Sequence, residues 1–189
     1  MANTASNVTA AKPSASGAIW VVPLGTTLPT DTTTDMSTVT GAKCLGYCSE
    51  DGVTNSTNLE SETIKAWGGD TVLTIQTSKD DTFQFTLLES TNTDVLAFVN
   101  GSANVTGALA TGVTVTVNNK DVEEQSIVID MLLRDNTAKR VVIPDCKISE
   151  IGDVTYSDSD ATGYEVTLTC MPDSSGNTHY EYLLAAASA

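Results

Sequence analysis

The sequence has little of the chemistry on which most enzymes depend, since it contains a single histidine and few basic residues. Lysine and arginine total 9 against 24 acidic residues, which gives a net charge of −15. A surface this acidic repels phosphate groups, and no apolar run approaches the roughly 18 residues of a membrane-spanning helix. We therefore expect no membrane partner and no adhesion to nucleic acid.

Four cysteines are present, and we interpret them as packing residues. The first 17 residues lack the basic and apolar regions of a signal peptide, which predicts a protein kept in a reducing cytoplasm. Cys44 and Cys48 lack a second matched pair of zinc ligands. Cys170 falls on the apolar face of a predicted strand, as a small core residue would.

Candidate catalytic and ligand-binding residues are sparse. His179 lies near the end of the chain in a predicted strand, and no sequence pattern supplies it with a nucleophile, so we interpret it as structural. Asp158 and Asp160 lack the remaining ligands of a calcium loop. Gly68-Gly69 precedes a strand rather than a helix, unlike a phosphate-binding loop. The sequence predicts no enzyme activity, no cofactor and no metal.

Alternation of apolar and polar residues with a period of two is the dominant pattern, and it predicts a mainly β protein. It is clearest in TFQFTL, YEVTLTC and GVTVTV, the last of which is predicted to bury three valines. SIVIDMLLR and AKRVVI are denser in apolar residues, and the polar DNTA between them predicts a hairpin at the centre of a sheet. Further predicted strands cover 18–22, 43–48, 70–77, 146–156 and 179–183.

One short helix is predicted over residues 89–101. Its apolar stripe includes Val95 and Phe98, Thr91 is its predicted N-cap, and Asn100-Gly101 is a natural end. We expect this helix to cover an open end or face of a β-sandwich or barrel.

The remaining segments predict extended loops and terminal arms. Residues 25–41 and 49–62 are polar and are predicted to be loops, of a length that is usually functional or mobile. Residues 1–17 are predicted to form a flexible arm and 185–189 a C-terminal tail. This leaves 18–184 as a single β-rich domain.

These features together favour a subunit that assembles. The edge of a sheet can pair with another strand, and segments that are disordered alone can become ordered on a neighbour. Head-to-tail contacts of this kind generate rings or filaments.

Several motifs, taken in order, resemble the major tail tube proteins of long-tailed (siphovirus-type) bacteriophages, especially those infecting Gram-positive bacteria. The likeness covers 17–31, 45–101 and 123–183. The motifs that carry it are GYCSEDG, IKAWGGD, TFQFTLLE, RVVIPD and GYEVTLT followed by GNTHYEY. The cysteines are not part of the family pattern.

The resemblance implies a β-sandwich or barrel subunit that forms hexameric rings, which stack into a hollow tail tube through which DNA is delivered. It implies that strands of adjacent subunits join into one inner wall. The implied partners are other copies of the chain, a tail initiator, a tape-measure protein, a tail terminator and DNA that passes without specific binding. The implied location is the virion tail, after assembly in the host cytoplasm.

Trp67 stands directly before two glycines, and two interpretations of it remain open. It could anchor a contact between subunits, or it could fill the core at a strand end. We predict that the inter-subunit contact includes the segment around it: Asp51, Asn55, Asn58, Glu60, Glu62, Lys65, Trp67, Gly68 and Gly69.

Two other classes of function remain open. The chain could be a surface-displayed β-sandwich of the virion that binds a receptor or a sugar, in which case it would not polymerise. It could also be an enzyme with an unrecognised site, although the lone His179 argues against that class. Neither alternative accounts for two arms and two long loops as simply as a polymer subunit does.

Overall fold

The computed structural model describes residues 3–186, and within them strands predominate. The single α-helix of this part of the chain is α1 (Thr93–Asn100), so the predicted mainly β class with one short helix is confirmed. The strands are β1 (Lys12–Pro13), β2 (Ile19–Pro23), β3 (Lys43–Cys44), β4 (Cys48–Lys65), β5 (Thr71–Leu87), β6 (Val105–Ala108), β7 (Gly112–Val115), β8 (Gln125–Leu132), β9 (Ala138–Ile151), β10 (Tyr164–Cys170) and β11 (Tyr180–Leu184).

Nine of these strands form one large antiparallel sheet in the order β3-β2-β8-β9-β10-β5-β4. β1 also pairs with β8, and β11 also pairs with β9. β8 and β9 form the predicted central hairpin, with Ile129 opposite Val141. Asp135 and Asn136, in the connection between them, adopt positive φ angles of 58° and 56°. Both residue types tolerate this conformation better than most, as the predicted turn requires.

β9 joins two segments, 138–143 and 146–156, that the sequence pattern predicts as separate strands. It continues through Pro144, and along one edge its first half pairs with β11 whereas its second half pairs with β10. This change of partner joins the two groups of strands into a single hydrogen-bonded sheet.

The main core lies on one face of the sheet and draws on both groups of strands. Ile19 of β2, Ile143 of β9 and Leu168 of β10 are fully buried in the same cluster. α1 closes this core, and its Phe98 stacks on Phe85 of β5 with ring centroids 6.5 Å apart. Each large side chain removed from water in this way contributes about 1.5–3 kcal/mol.

A second, smaller core lies on the other face of β2, β8 and β9. Val22, Val128 and Val142 are buried there together with Trp20. The predicted loop 25–41 is irregular apart from a 3₁₀ turn at Met36–Thr38, and it covers this cluster with the buried Met36. The loop therefore packs on the body of the subunit.

α1 begins later than predicted, and its N-cap is Asn92 rather than Thr91. The side chain of Asn92 accepts a hydrogen bond from the backbone N–H of Asp94 at 2.9 Å. Gly101 ends the helix with a φ of 90°, a conformation that side-chain-bearing residues avoid. The predicted stop at Asn100-Gly101 is thus confirmed.

The segment 112–117 differs from its prediction. Among the described strands, β7 pairs only with β6, in a separate two-stranded sheet. Val113 and Val115 are half-buried, whereas Val117 is exposed. The prediction of a fully buried valine face was wrong because the alternation predicts a strand but not the presence of a second layer above it.

The N-terminal segment, predicted as a flexible arm, is partly paired with the body. Lys12 and Pro13 lie opposite Leu132 and Met131 of β8, and the backbone N–H of Ser14 donates to the carbonyl of Asp130. Residues 185 and 186 follow β11 without regular structure. The rest of the predicted tail, 187–189, and residues 1–2 of the arm lie outside the described residues.

Arg140 is the buried charge that ties the 25–41 loop to the sheet. Its guanidinium donates to both carboxylate oxygens of Asp130, at 2.6 and 2.8 Å, and to the backbone carbonyl of Asp31 at 3.0 Å. The Arg140 side chain is only 4% exposed. Removal of one partner of such a pair leaves the other charge buried and uncompensated.

Arg140→Ala is therefore expected to lower the free energy of unfolding by roughly 3–5 kcal/mol. Lys139→Ala is the matched control, because its ion pair with Glu181 is more exposed, and such pairs contribute about 1 kcal/mol or less. Urea unfolding of the two variants would compare them. If both variants lost the same small amount of unfolding free energy, the buried ion pair of Arg140 would not stabilise the fold more than an exposed pair does.

Candidate assembly surface

The most prominent surface feature is the long hairpin formed by β4 and β5. The two strands pair from Val53 with Phe85 out to Lys65 with Thr71. This corrects the prediction that 49–62 is a loop, because the segment is part of an 18-residue strand. It carries no apolar alternation since neither of its faces is buried, and without alternation its polar composition resembles that of a loop.

The turn of the hairpin explains why two glycines follow Trp67. The backbone N–H of Ala66 donates to the carbonyl of Asp70 at 2.7 Å, and that of Gly69 donates to Ala66 at 3.0 Å. Gly68 and Gly69 have φ angles of 118° and 102°. Residues with a Cβ rarely adopt these angles, so the glycine pair allows the chain to reverse over five residues.

Beyond its root, the hairpin projects away from the body. Residues 54–80 are exposed except for Ser78, which is half-buried. Within the described chain, β4 pairs only with β5, and β10 pairs with β5 only from Thr82 onward. Each arm of about ten residues extends roughly 30 Å. Both faces and both edges are therefore open, although an isolated two-stranded hairpin is only marginally stable in water.

One face of the outer hairpin carries three aliphatic side chains. Ile64 pairs with Leu73, and Ile75 lies next along the same face, opposite Glu62. The exposed fractions of these three aliphatic side chains are 45%, 50% and 46%. We call Ile64, Leu73 and Ile75 the aliphatic face. Aliphatic side chains grouped on an exposed element are typical of an interaction surface.

The opposite face of the same segment carries mostly hydroxyl and amide groups. Thr63 pairs with Thr74, and Ser61 pairs with Gln76. Val72, nearer the turn, is the exposed apolar residue on this side. The outer hairpin thus has two chemically different faces, a property that favours contact with a protein on one side and with water on the other.

Trp67 lies at the tip of the hairpin and is fully exposed, with a relative exposure of 106%. The core interpretation of this residue was therefore wrong. No atom lies within 4 Å of a Cβ built on Gly68 or Gly69, so within this subunit the glycines are not required by close packing.

The predicted contact residues all lie on the β4–β5 hairpin, but they differ in their position along it and in their hydrogen bonds. Asn58, Glu60, Glu62 and Lys65 follow one another along the exposed part of β4, and Trp67, Gly68 and Gly69 form the tip. Asp51 is exposed near the root of the hairpin. Asn55 is already engaged within the subunit, since its amide donates to Asp81 at 2.8 Å.

Sequence reasoning missed the aliphatic face itself. Leu73 and Ile75 alternate with Thr74 and Gln76, and this pattern predicts only a strand over 70–77. The sequence does not reveal that the outer part of β5 pairs only with β4, a strand that contributes no covering layer, so that Leu73 and Ile75 stay exposed.

Asp81 connects the root of the hairpin to the body. It is 1% exposed and accepts hydrogen bonds from Asn55 of β4 and from Thr178, which precedes β11. His179 Nδ1 lies 2.5 Å from its Oδ2. Burial acts to raise the pKa of Asp81, but the hydrogen bonds from Thr178, Asn55 and His179 outweigh it and lower the pKa below its ordinary value.

His179 also packs edge-on against Phe83, with ring centroids 5.3 Å apart. Its contacts are those of a residue that holds the hairpin root in place, in agreement with the structural interpretation. Among the described residues, no group of three or more histidine, cysteine or acidic side chains is placed to hold a metal ion. No helix within residues 3–186 is long and apolar enough to cross a membrane.

Comparison with known proteins identifies the family. Residues 1–188 match the family model described as phage tail tube protein, and the chain therefore belongs to that family. Its role is structural rather than enzymatic, and its place is the tail tube of a phage or phage-like particle. Among curated proteins, none matches the sequence.

Two solved structures are distantly similar to this chain. One is a chain of the sheath–tube complex of PVC, an extracellular contractile injection system, in its extended state; the TM-score is 0.43 at 9% identity, over 92% of this chain and 93% of that chain. Another is the tube-terminating cap of the anti-feeding prophage, with a TM-score of 0.44 at 9% identity, over 97% of this chain and 100% of that chain. Likenesses this distant carry no conclusion about assembly.

Proposed function

We propose that this protein is the major tail tube protein of a long-tailed, siphovirus-type phage. It polymerises as stacked rings, hexameric as the resemblance implies, into a hollow tube that delivers DNA. The observation that carries the proposal is the hairpin of β4 and β5. Its open edges, aliphatic face and exposed tryptophan leave it incomplete without a neighbouring protein.

The hairpin serves as the inter-subunit element of this polymer. Contact with a neighbouring copy covers the aliphatic face and Trp67, and the predicted polar residues of β4 border this contact. We include Asp51, Asn58, Glu60, Glu62 and Lys65 in the border, with Asn55 acting at the root through Asp81. Aromatic and aliphatic side chains dominate the energetics of such interfaces, whereas bordering charges mainly set specificity.

The domain organisation follows the same proposal. Residues 18–184 form the tube domain, 1–17 an N-terminal arm and 185–189 a C-terminal tail. Residues 12–14 of the arm already pair with β8 of the same subunit. Subunits assemble in the host cytoplasm with a tail initiator, a tape-measure protein and a tail terminator. The net charge of −15 favours passage of DNA without adhesion, because carboxylates repel phosphates within the screening length of about 8 Å.

The test is assembly as a function of concentration. Light scattering of the purified chain, with negative-stain electron microscopy of the same samples, is expected to show rings or hollow tubes of uniform diameter. A species that stays monomeric when concentrated and when seeded with a tail initiator would contradict the proposal. Ligand binding by such a monomer would instead support a receptor- or sugar-binding decoration.

Trp67→Ala is expected to block ring stacking and leave a folded monomer, because the side chain makes its contacts outside the subunit. Loss of a buried aromatic contact typically costs a few kcal/mol, which corresponds to a shift of roughly 100-fold or more in the concentration needed for assembly. Tyr156→Ala is the matched control, since Tyr156 is also an exposed aromatic but belongs to the connection between β9 and β10 rather than to the hairpin. Equal assembly by both variants would exclude Trp67 from the contact.

A further inference from the structure

Two buried cysteines face each other across neighbouring strands. Cys146 of β9 lies directly opposite Cys170 of β10, and both are free thiols in this structure. We propose that this pair is a latent cross-strand disulfide, which closes when the folded protein meets a small disulfide oxidant.

The backbone hydrogen bonds identify the type of site. The N–H of Met171 donates to the carbonyl of Asp145 at 2.9 Å, so the bond joins the residues that flank the cysteine pair. The pair is therefore a non-hydrogen-bonded site of the antiparallel ladder, where Cα atoms lie about 4.5 Å apart and side chains approach each other most closely. This separation is at the short end of the range of about 4.4–6.8 Å found for disulfides.

In the reduced protein one of the two thiols makes a local hydrogen bond. The thiol of Cys146 donates to the backbone carbonyl of Gln125 at 3.2 Å, which directs its sulfur toward β8. Disulfide formation then requires a change of side-chain rotamer at Cys146 and the loss of this weak hydrogen bond.

Burial makes both thiols slow to react. It raises the pKa of Cys170 to about 12 and that of Cys146 further still, so thiolate is scarce near neutral pH. The reaction therefore proceeds during brief openings of the strand pair and is faster in alkali. The same burial protects the disulfide from reductants once it has formed.

The chemistry balances with oxidised glutathione as the oxidant. The thiolate of one cysteine attacks the glutathione disulfide and releases one glutathione thiolate. The second cysteine attacks the resulting mixed disulfide and releases the other. One protein S–S bond forms, the two cysteines lose their thiol protons, and two electrons pass to glutathione.

The biological consequence rests on the proposed function. A subunit made in a reducing cytoplasm folds with free thiols, whereas a released particle meets oxidising surroundings. The bond then ties β9 to β10 after assembly is complete, when the tube has to persist outside the cell.

The Cys44→Ser/Cys48→Ser variant tests the chemistry independently of polymerisation, because Cys146 and Cys170 are then its sole thiols. Its monomer is incubated with oxidised glutathione at about pH 8.5, near the ordinary thiol pKa. Intact mass is expected to fall by two hydrogen atoms, and peptide mapping is expected to link Cys146 with Cys170. Disulfide formation is expected to raise the Tm by roughly 5–10 °C, and reduction of the bond is expected to restore the original Tm.

A variant with the additional change Cys170→Ser is the control, and it is expected to show no such mass loss and no rise in Tm. The guanidinium-unfolded chain provides a comparison for the folded protein. If the unfolded chain formed the Cys146–Cys170 disulfide while the folded protein kept both thiols or only took up glutathione, the proposal would be overturned. Absence of the link in both states would overturn it as well. Each result can be obtained whether or not the protein forms tubes.

Discussion

Leu73→Asp combined with Ile75→Asp is expected to abolish assembly and to leave the subunit folded. Both side chains lie on the aliphatic face and are about half exposed in the subunit, so their loss removes little of its own core. Coverage of each by a neighbour contributes about 1.5–3 kcal/mol, and burial of two carboxylates adds a further cost. The concentration needed for assembly should therefore rise by at least roughly 100-fold.

The matched control places the same charges on the other face of the same strand. Thr74→Asp combined with Gln76→Asp adds the same two carboxylates at alternating positions, opposite Thr63 and Ser61. Sedimentation and negative-stain microscopy would compare the variants, with circular dichroism to verify folding. Equal loss of assembly in both would contradict the assignment of the contact to the aliphatic face and would indicate that charge alone blocks polymerisation.

Asp81→Ala is expected to lower the free energy of unfolding by roughly 1.5–3 kcal/mol, because it removes the buried carboxylate that accepts hydrogen bonds from Asn55, Thr178 and His179. Asp80→Ala is the control, since the adjacent Asp80 is exposed and paired with Asn58 on the other face of the hairpin. Urea unfolding measures both, and comparable small effects would show that the buried network does not stabilise the subunit.

The pH dependence of Asp81 has a defined sign. A carboxyl whose pKa is lowered in the folded state stabilises the protein fully above its ordinary pKa of 3.8, and this stabilisation is lost as pH falls below that value toward the lowered pKa. Asp81→Asn cannot titrate, so the stability difference between wild type and this variant should narrow as pH falls below 3.8. A difference that stays constant on acidification would show that the pKa of Asp81 is not lowered by folding.

The sequence predicted the fold best where a strand has one buried face. The alternation in TFQFTL and YEVTLTC directly reflects Phe83, Phe85, Val166 and Leu168 entering the core. The central hairpin of β8 and β9 was predictable for a related reason, because buried residues on both faces make its strands almost continuously apolar.

The assembly hairpin was predictable only in part. The sequence indicated that Trp67 and its glycines mark a contact segment. It did not indicate a strand before them, because β4 has no buried face beyond its root and so shows no apolar alternation. The Asp81 network could not be predicted either, because Asp81 and His179 are separated by 98 positions. The opposition of Cys146 and Cys170 depends on the register of two strands, which in turn depends on a bulge between Thr167 and Leu168.

The hairpin also has a consequence for the order of folding. Its contacts are local along the chain, whereas β2 must find β8 and β5 must find β10 across large intervals of sequence. During synthesis, β4 and β5 therefore leave the ribosome before β8, β9 and β10 have been made. The two strands can pair with each other within microseconds, since hairpin contacts are local. Charged side chains on the inner half of the hairpin, such as Glu60, Lys79 and Asp80, then act as gatekeepers that discourage premature pairing between nascent chains.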